Sequence, residues 1–456
     1  MLFKNQIITC RILRTGYSAE GIAEIDGMIV FVENALPDEL VEIKIIKLTK
    51  KFAIGKLLKI LEKSQYRLNL GLCQNYNCGG CQLIFVDYDY QLKLKENIIQ
   101  SAFRQNAKIP DLKINSVIKA VQIFHYRNKI ILPAGIDENN QPQLGFYMRR
   151  SHHIINIDNC KLHPKITDKI IDITKKFLIN AKISIYDEIQ HTGIFRNLMI
   201  RYNNDLSEIM IVPIINADEL PHNELFIKMI RAEISEIKSV ACCINKNKGN
   251  VILTDNLKKI DGADYITAQL SKKKYQISVN TFFQVNYEQT EKLYEYIRKL
   301  IIDRGKELSD KPIIFDLYSG ISSIGIYISD LAEYIYSAEE NPSAEKLANI
   351  NFKINNITNI RHITGKSIDV IKKLIAQNIK PNIVILDPPR KGCEKEELEI
   401  LGELSDYIIY VSCQPTTLAR DAQILLSRGF TIKNIQPLDM FPNTFHIETI
   451  CEFVKN

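Results

Sequence analysis

From about residue 266 onward, short apolar runs at 313–317, 335–338, 383–386, 407–411 and 447–454 alternate with stretches whose apolar positions recur at helical spacing. Apolar runs of that length, bounded by polar turns, read as buried strands. Their alternation with helices predicts a mostly parallel α/β sheet covered on both faces. The first sixty residues follow another rhythm, with several short strands between about 6 and 60 and alternation over 21–32 around Asp26-Gly27, a hairpin signal. Over 41–59 six lysines (44, 47, 50, 51, 56 and 59) face a single acid, Glu42. Short strands, glycine turns and lysine on one flank predict a small β-barrel of the oligonucleotide-binding kind. A solvated edge strand protected by lysine is the plainer alternative. A helical pattern runs over 88–106, and mixed strand and loop continue to about 265. The expected division is a barrel at 1–62, a central α+β domain at 63–265 and a Rossmann-like domain at 266–456, giving a multidomain α/β protein.

Composition narrows this only slightly. A chain of 456 residues with 46% apolar and 25% charged residues has ordinary globular proportions, enough for several cores. The net charge of +6 is compatible with a polyanionic partner. No apolar run approaches the roughly 18 residues of a membrane span, and the first residues lack the apolar core of a signal peptide. A cytoplasmic protein with no membrane partner is expected. In that compartment the ten cysteines are metal-binding or catalytic sooner than disulfide-bonded.

Two groups of cysteines invite chemistry. Cys73, Cys78 and Cys81, the last two separated by Gly79-Gly80, fall within nine residues and can wrap one inorganic centre, with Cys160 the natural fourth ligand. All-cysteine ligation suits an iron–sulfur cluster or a structural zinc, and the spacing leaves both open. Cys10, Cys242, Cys243, Cys393 and Cys451 show no ligand spacing and read as packing residues. Cys413 stands apart, in Tyr410-Val411-Ser412-Cys413-Gln414-Pro415, where a strand stops and a helix begins. A cysteine at a helix N-terminus facing the strand ends of an α/β sheet tends to be a thiolate and a nucleophile. Burial as a small hydrophobe is the commoner fate of a free cysteine.

The neighbouring motifs decide between these readings. Phe315-Asp316-Leu317-Tyr318-Ser319-Gly320 ends a strand in an acid and a tight turn, and Glu339 ends the next strand, placed to accept hydrogen bonds from ribose hydroxyls. Asp387-Pro388-Pro389-Arg390 holds a carboxylate at a stiffened strand mouth. With these pieces in order, the chain resembles the RNA uracil-5-methyltransferases that use S-adenosylmethionine. The similarity points to the branch with an N-terminal TRAM domain and an iron–sulfur cluster that modifies 23S ribosomal RNA (the RlmD/RumA type). Further motifs carrying it are Tyr126-Arg127-Asn128-Lys129, Thr281-Phe282-Phe283-Gln284-Val285-Asn286 and His446-Ile447-Glu448.

The resemblance implies that Cys73, Cys78, Cys81 and Cys160 hold a [4Fe–4S] cluster. It implies that Gln284, Tyr318, Glu339 and Asp387 line the S-adenosylmethionine site, with Cys413 the nucleophile and Glu448 the general base. It also implies a monomer whose partner is 23S ribosomal RNA or its precursor. Phe441 and Phe445 are candidates for stacking the extruded base. The chain departs from the pattern in four places. Four residues separate Cys73 from Cys78 where five are expected, and Gln414 replaces the usual Asn. Ser319 replaces a Cys, and Ser322 replaces a glycine that lets the cofactor approach. Transfer RNA enzymes of the group are expected to lack the barrel and the cysteine cluster, which sets a transfer RNA substrate second. Cytosine-5 methylation lacks its extra cysteine beside the proline motif. A non-catalytic RNA-binding assembly factor is the remaining alternative.

Overall fold

The computed structural model describes residues 2–69, 73–75 and 78–455. The shortened loop between Cys73 and Cys78 includes residues 76 and 77, which lie outside the described residues. The N-terminal part is a six-stranded, mainly antiparallel sheet, in spatial order Ile7–Arg11, Leu40–Leu48, Phe52–Glu62, Met28–Val32, Gly21–Ile25 and Arg14–Thr15. Its hairpin closes with Ile25 paired to Met28, and Asp26 and Gly27 both adopt positive φ (51° and 75°), as a tight two-residue turn requires. Val30, Val32, Val41, Ile43, Ile45 and Ala53 fill its interior. Lys47, Lys50, Lys51, Lys56 and Lys59 are exposed.

A central seven-stranded sheet follows, ordered Leu257–Gly262, Ile237–Ile244, Ile209–Ile215, Phe195–Tyr202, Lys129–Ile136, Pro142–Tyr147 and Ile154–Asn156. One face carries the helices Ile166–Asn180 and Asn223–Glu233 through Ile170, Phe177, Phe226 and Ile230. The other face presents Met199, Met210, Val212 and Cys243 to the C-terminal part, with which it shares a single core.

The C-terminal sheet has the order Ile360–Thr364, Tyr334–Glu339, Ile313–Leu317, Ile383–Leu386, Tyr407–Ser412, Glu448–Lys455 and Phe430–Leu438. The first five strands are parallel and the last two pairings antiparallel. Strand positions match the apolar runs to within a residue or two, because a strand buried on both faces must be apolar throughout. The 88–106 pattern forms a helix over Tyr88–Ala102 and one wide turn over Phe103–Ala107. Its Leu92, Ile99 and Phe103 pack with Leu386, Leu418 and Ala422 of the C-terminal part. Among the described residues no helix is long and apolar enough to cross a membrane.

Candidate active site

Strand register brings the predicted residues together. Leu317 pairs with both Ala338 and Leu386, so the next residues, Tyr318, Glu339 and Asp387, leave three adjacent strands at one level. Leu386 pairs with Tyr410 on the following strand, which runs on to Ser412. Ser412 pairs antiparallel with Thr449, so one further step along that ladder sets Cys413 level with Glu448. All of these lie at the carboxyl ends of the parallel strands, around the point where strand order reverses and α/β sheets bind ligands.

Together with Gln284 they line one cleft of about 600 Å³. Gln284 comes from a loop that the Tyr126-Arg127-Asn128-Lys129 segment pins. The Asn128 side-chain amide donates to the Gln284 carbonyl at 2.9 Å, and its backbone N–H donates to Val285 O at 2.9 Å. Fully buried Arg201 holds the start of the same loop through Ser278 O and Thr281 O, each at 2.8 Å.

The carboxylates divide into structural and cleft-facing groups. Asp316, which the sequence pattern placed at the end of its strand, is completely buried and does not line the cleft. It accepts from Gly325 N at 3.2 Å and so fastens the following helix to the sheet. A Cβ on Gly325 would sit 3.0 Å from that carboxyl. Glu339 faces the cleft and is oriented by Gly320 N (3.0 Å) and Asn341 N (2.9 Å). Burial raises the Asp387 carboxyl to about 7. Glu448 is raised well above its ordinary value by burial and then by Asp387, with Arg390 opposing, and its Oε2 has no hydrogen-bond partner among the described residues.

Cys413 differs from the sequence expectation of a thiolate. Burial, reinforced by Glu448 and Asp387, pushes its thiol up to about 12 against the lowering influence of Arg390. Two carboxyl groups and a partly closed cleft outweigh the helix N-terminus, so the ligand-free protein holds a thiol near neutral pH.

Two departures noted in the sequence lie outside the lining of the cleft. Ser322 adopts φ 58°, a conformation that favours glycine, yet its hydroxyl lies 3.0 Å from His362 Nδ1 and it does not line the cleft. Gln414 caps the Pro415–Ser427 helix, and its amide donates to Thr416 Oγ1 at 3.0 Å, also away from the cleft lining. Of the two stacking candidates, Phe441 lines the cleft with His446, whereas Phe445 packs against Ala19, Leu36 and Leu83.

Sequence reasoning missed Glu397, Lys366 and the rim residue Phe282, which is 69% exposed. Glu397 is buried on the Lys395–Leu404 helix, accepts from Tyr318 OH at 2.5 Å, and is raised to about 7 by burial. Nothing in the local pattern marks it, because a Glu in a first helical turn is ordinary. The Asp387-Pro388-Pro389-Arg390 loop is clamped from the helix after Cys413. Asp421 accepts from Cys393 N (2.9 Å) and Tyr410 OH (2.6 Å), and Arg420 donates to Lys391 O (2.9 Å). Gly392 has φ 76°, and a Cβ there would fall 2.4 Å from Asp421 Oδ2. Gly392→Ala is therefore expected to destabilise the protein by roughly 1–3 kcal/mol. It should also displace Arg390, checked by denaturant melts alongside the pH–rate profile.

The four cysteines Cys73, Cys78, Cys81 and Cys160 line one small hollow of about 20 Å³. Burial and mutual repulsion raise Cys81 well above its ordinary value, and burial raises Cys160 to about 11. Among the described residues no three His, Cys, Asp or Glu side chains converge as ligands of a single ion would.

Comparison with known proteins places this geometry. The family model for tRNA (uracil-5-)-methyltransferases matches residues 87–455. The chain belongs to that family. A TRAM domain model matches residues 2–58. An uncharacterised RNA methyltransferase of Clostridium acetobutylicum is 41% identical over 95% of this chain and 94% of its own length. One from Staphylococcus epidermidis is 36% identical over 99% and 98%. The crystal structure of a Pyrococcus abyssi tRNA (uracil-54, C5)-methyltransferase in complex with S-adenosyl-L-homocysteine matches with a TM-score of 0.78 at 25% identity. The match covers 98% of this chain and 99% of that one. It overturns one expectation: a transfer RNA enzyme of this family can extend over the barrel as well, so the barrel does not separate the two substrates.

Proposed function

We propose that this member of the family methylates C5 of a uridine in 23S ribosomal RNA, as a cytosolic monomer using S-adenosylmethionine. The carrying observation is that Gln284, Tyr318, Glu339, Asp387, Cys413 and Glu448, spread over 165 residues, line one cleft. We assign residues 1–62 to RNA binding, 63–265 to a central domain and 266–456 to methyl transfer.

The residues fit S-adenosylmethionine: Glu339 faces the cleft with each oxygen held by one backbone N–H and a further lone pair left for ribose hydroxyls, Asp387 supplies an acidic wall, and the position of Gly320 is open, with nothing described within 4 Å of a Cβ. When bound, that molecule supplies an electrophilic methyl group. Cys413 first gives up its thiol proton to water and adds as the thiolate to C6 of the uracil, turning C5 into an enolate carbon able to take the methyl group. Glu448 then removes the C5 proton, and Cys413 leaves. Phe441 and His446 wall the space for the extruded base, with rings 5.8 Å apart. Glu448→Gln is expected to lower turnover roughly 10²–10³-fold while a covalent RNA–protein adduct accumulates on denaturing gels. Equal loss of adduct and turnover would remove Glu448 from the release step.

We also assign Cys73, Cys78, Cys81 and Cys160 to a [4Fe–4S] cluster. What supports the reading is that the four thiols line one hollow, and all-cysteine ligation suits an iron–sulfur cluster. Anaerobically purified protein should be brown and contain iron and sulfide, and Cys160→Ser should lose both. A second reading, transfer RNA as substrate, is favoured by the Pyrococcus match over the full length. Labelled S-adenosylmethionine offered with unmodified 23S and transfer RNAs separates them. Label in transfer RNA alone would overturn the ribosomal reading.

A further inference from the structure

The His191-Thr192-Gly193-Ile194-Phe195-Arg196 segment takes no part in the cleft, yet it borders a separate hollow of about 710 Å³ on the central sheet. There Arg196 lies over the Tyr186 ring at 4.2 Å, and its Nη1 donates to Asn245 O (2.7 Å) and Asn247 O (2.8 Å). Tyr186 OH is 2.9 Å from His191 Nδ1. This cation is fixed before any ligand arrives, so little side-chain entropy remains to be lost on binding. Lys248 adds positive potential at the hollow. Its one acid, Glu188, is engaged by Tyr147 OH (2.6 Å) and His152 (3.2 Å). Exposed Ile189, at 84%, and Val251, at 62%, offer apolar contact at the rim.

The hollow also has a path to the reaction site. Tyr147 and His152 line both it and a second hollow bounded by Arg149, Arg150 and Phe445. Arg150 there pairs with Glu33 at 3.0 Å, while buried Arg149 Nη2 has no hydrogen-bond partner among the described residues. Phe445 in turn lies against His446 of the cleft at 4.2 Å. The surface thus runs from cleft to central sheet with aromatic rings and cations along it. That pairing of side chains suits unpaired RNA, whose bases stack on aromatic rings and guanidinium planes.

We propose that the Tyr186–Arg196 hollow is a second RNA subsite that stacks an unpaired base lying outside the stem–loop that holds the target uridine, with Lys248 meeting its phosphate. The proposal rests on the RNA-modifying reading above. Its test is photo-crosslinking of the full-length protein to unmodified 23S and transfer RNAs containing 4-thiouridine, with cross-linked peptides mapped. Binding is compared for the full RNA and a short stem–loop holding the methylated uridine, in the wild type, Lys248→Glu and Tyr186→Leu. Cross-links should include residues 186–196 or 248–252. Lys248→Glu, on an exposed loop that tolerates it, should weaken binding of the full RNA roughly tenfold and lessen its salt dependence, leaving the stem–loop unaffected. Tyr186→Leu should weaken it similarly. Unchanged binding, equal loss for both RNAs, or cross-links confined to the cleft would overturn the subsite. If the wild type binds RNA but methylates none, the methyltransferase reading fails, while the cross-links and binding still decide the subsite.

Discussion

Cys413→Ala is expected to lower kcat by at least about 10⁴-fold and to abolish any covalent RNA adduct. C5 of uracil is too poor a nucleophile without addition at C6, and among the described residues no other thiol lines the cleft. The other cleft residues remain, so binding of S-adenosylmethionine, read by calorimetry, should change little. Methyl transfer that survived Cys413→Ala would sink the covalent route. The wild-type pH profile carries a linked expectation. With the thiol raised to about 12, the thiolate is the minor form at neutral pH. Where its formation limits the rate, activity should rise about tenfold per pH unit above neutrality. Arg390 favours the thiolate. Arg390→Gln should therefore move the rise to higher pH, a shift that simple loss of packing would not produce.

Lys95→Met is expected to cost about 3–5 kcal/mol, because it leaves a buried charge without its partner. Lys95 and Asp439 form a fully buried ion pair at 2.5 Å. Tyr88 OH also donates to Asp439 (2.9 Å), and Lys95 donates to Phe441 O (3.1 Å). The surrounding contacts fasten the 439–447 loop to the Tyr88–Ala102 helix, to Leu83 before it and to Tyr126. Asn443 N donates to Gln91 Oε1 (3.0 Å), Leu83 N to Asn443 O (2.9 Å), and Tyr126 OH to Pro442 O (3.0 Å). Loss of Lys95 should therefore lower both the urea midpoint and kcat, since the loop leads directly into His446 and Glu448. Adding Asp439→Leu should recover much of the stability, because an apolar pair can replace a buried ion pair. It should not recover kcat if the loop has lost its anchor. Stability equal to wild type in Lys95→Met alone would contradict the buried pair.

How much of this was legible beforehand varied with the kind of interaction. The C-terminal strands could be read because burial on both faces imposes continuous apolar runs, and the barrel hairpin because Asp26-Gly27 suits a tight turn. The cleft residues could be read because each terminates a strand or sits in a distinctive motif. The role of Asp316 could not, since an acid at a strand end reads alike whether it faces a ligand or fastens a helix. Glu397 was invisible because its importance comes from the Tyr318 hydroxyl, 79 residues away.

By itself, then, the amino-acid order determined the strand and helix rhythm through periodicity and local backbone chemistry, and, through its motifs and the family resemblance they carry, the six residues of the cleft and the cluster of Cys73, Cys78, Cys81 and Cys160. Only the tertiary structure decided the state and surroundings of those groups. It made Cys413 a thiol, turned Ser322 and Gln414 away from the cleft, and tied the loop before Glu448 to a helix some 350 residues earlier. Burial and through-space charge act between parts of the chain that are remote in order, so they emerge only when the sheets and helices are packed.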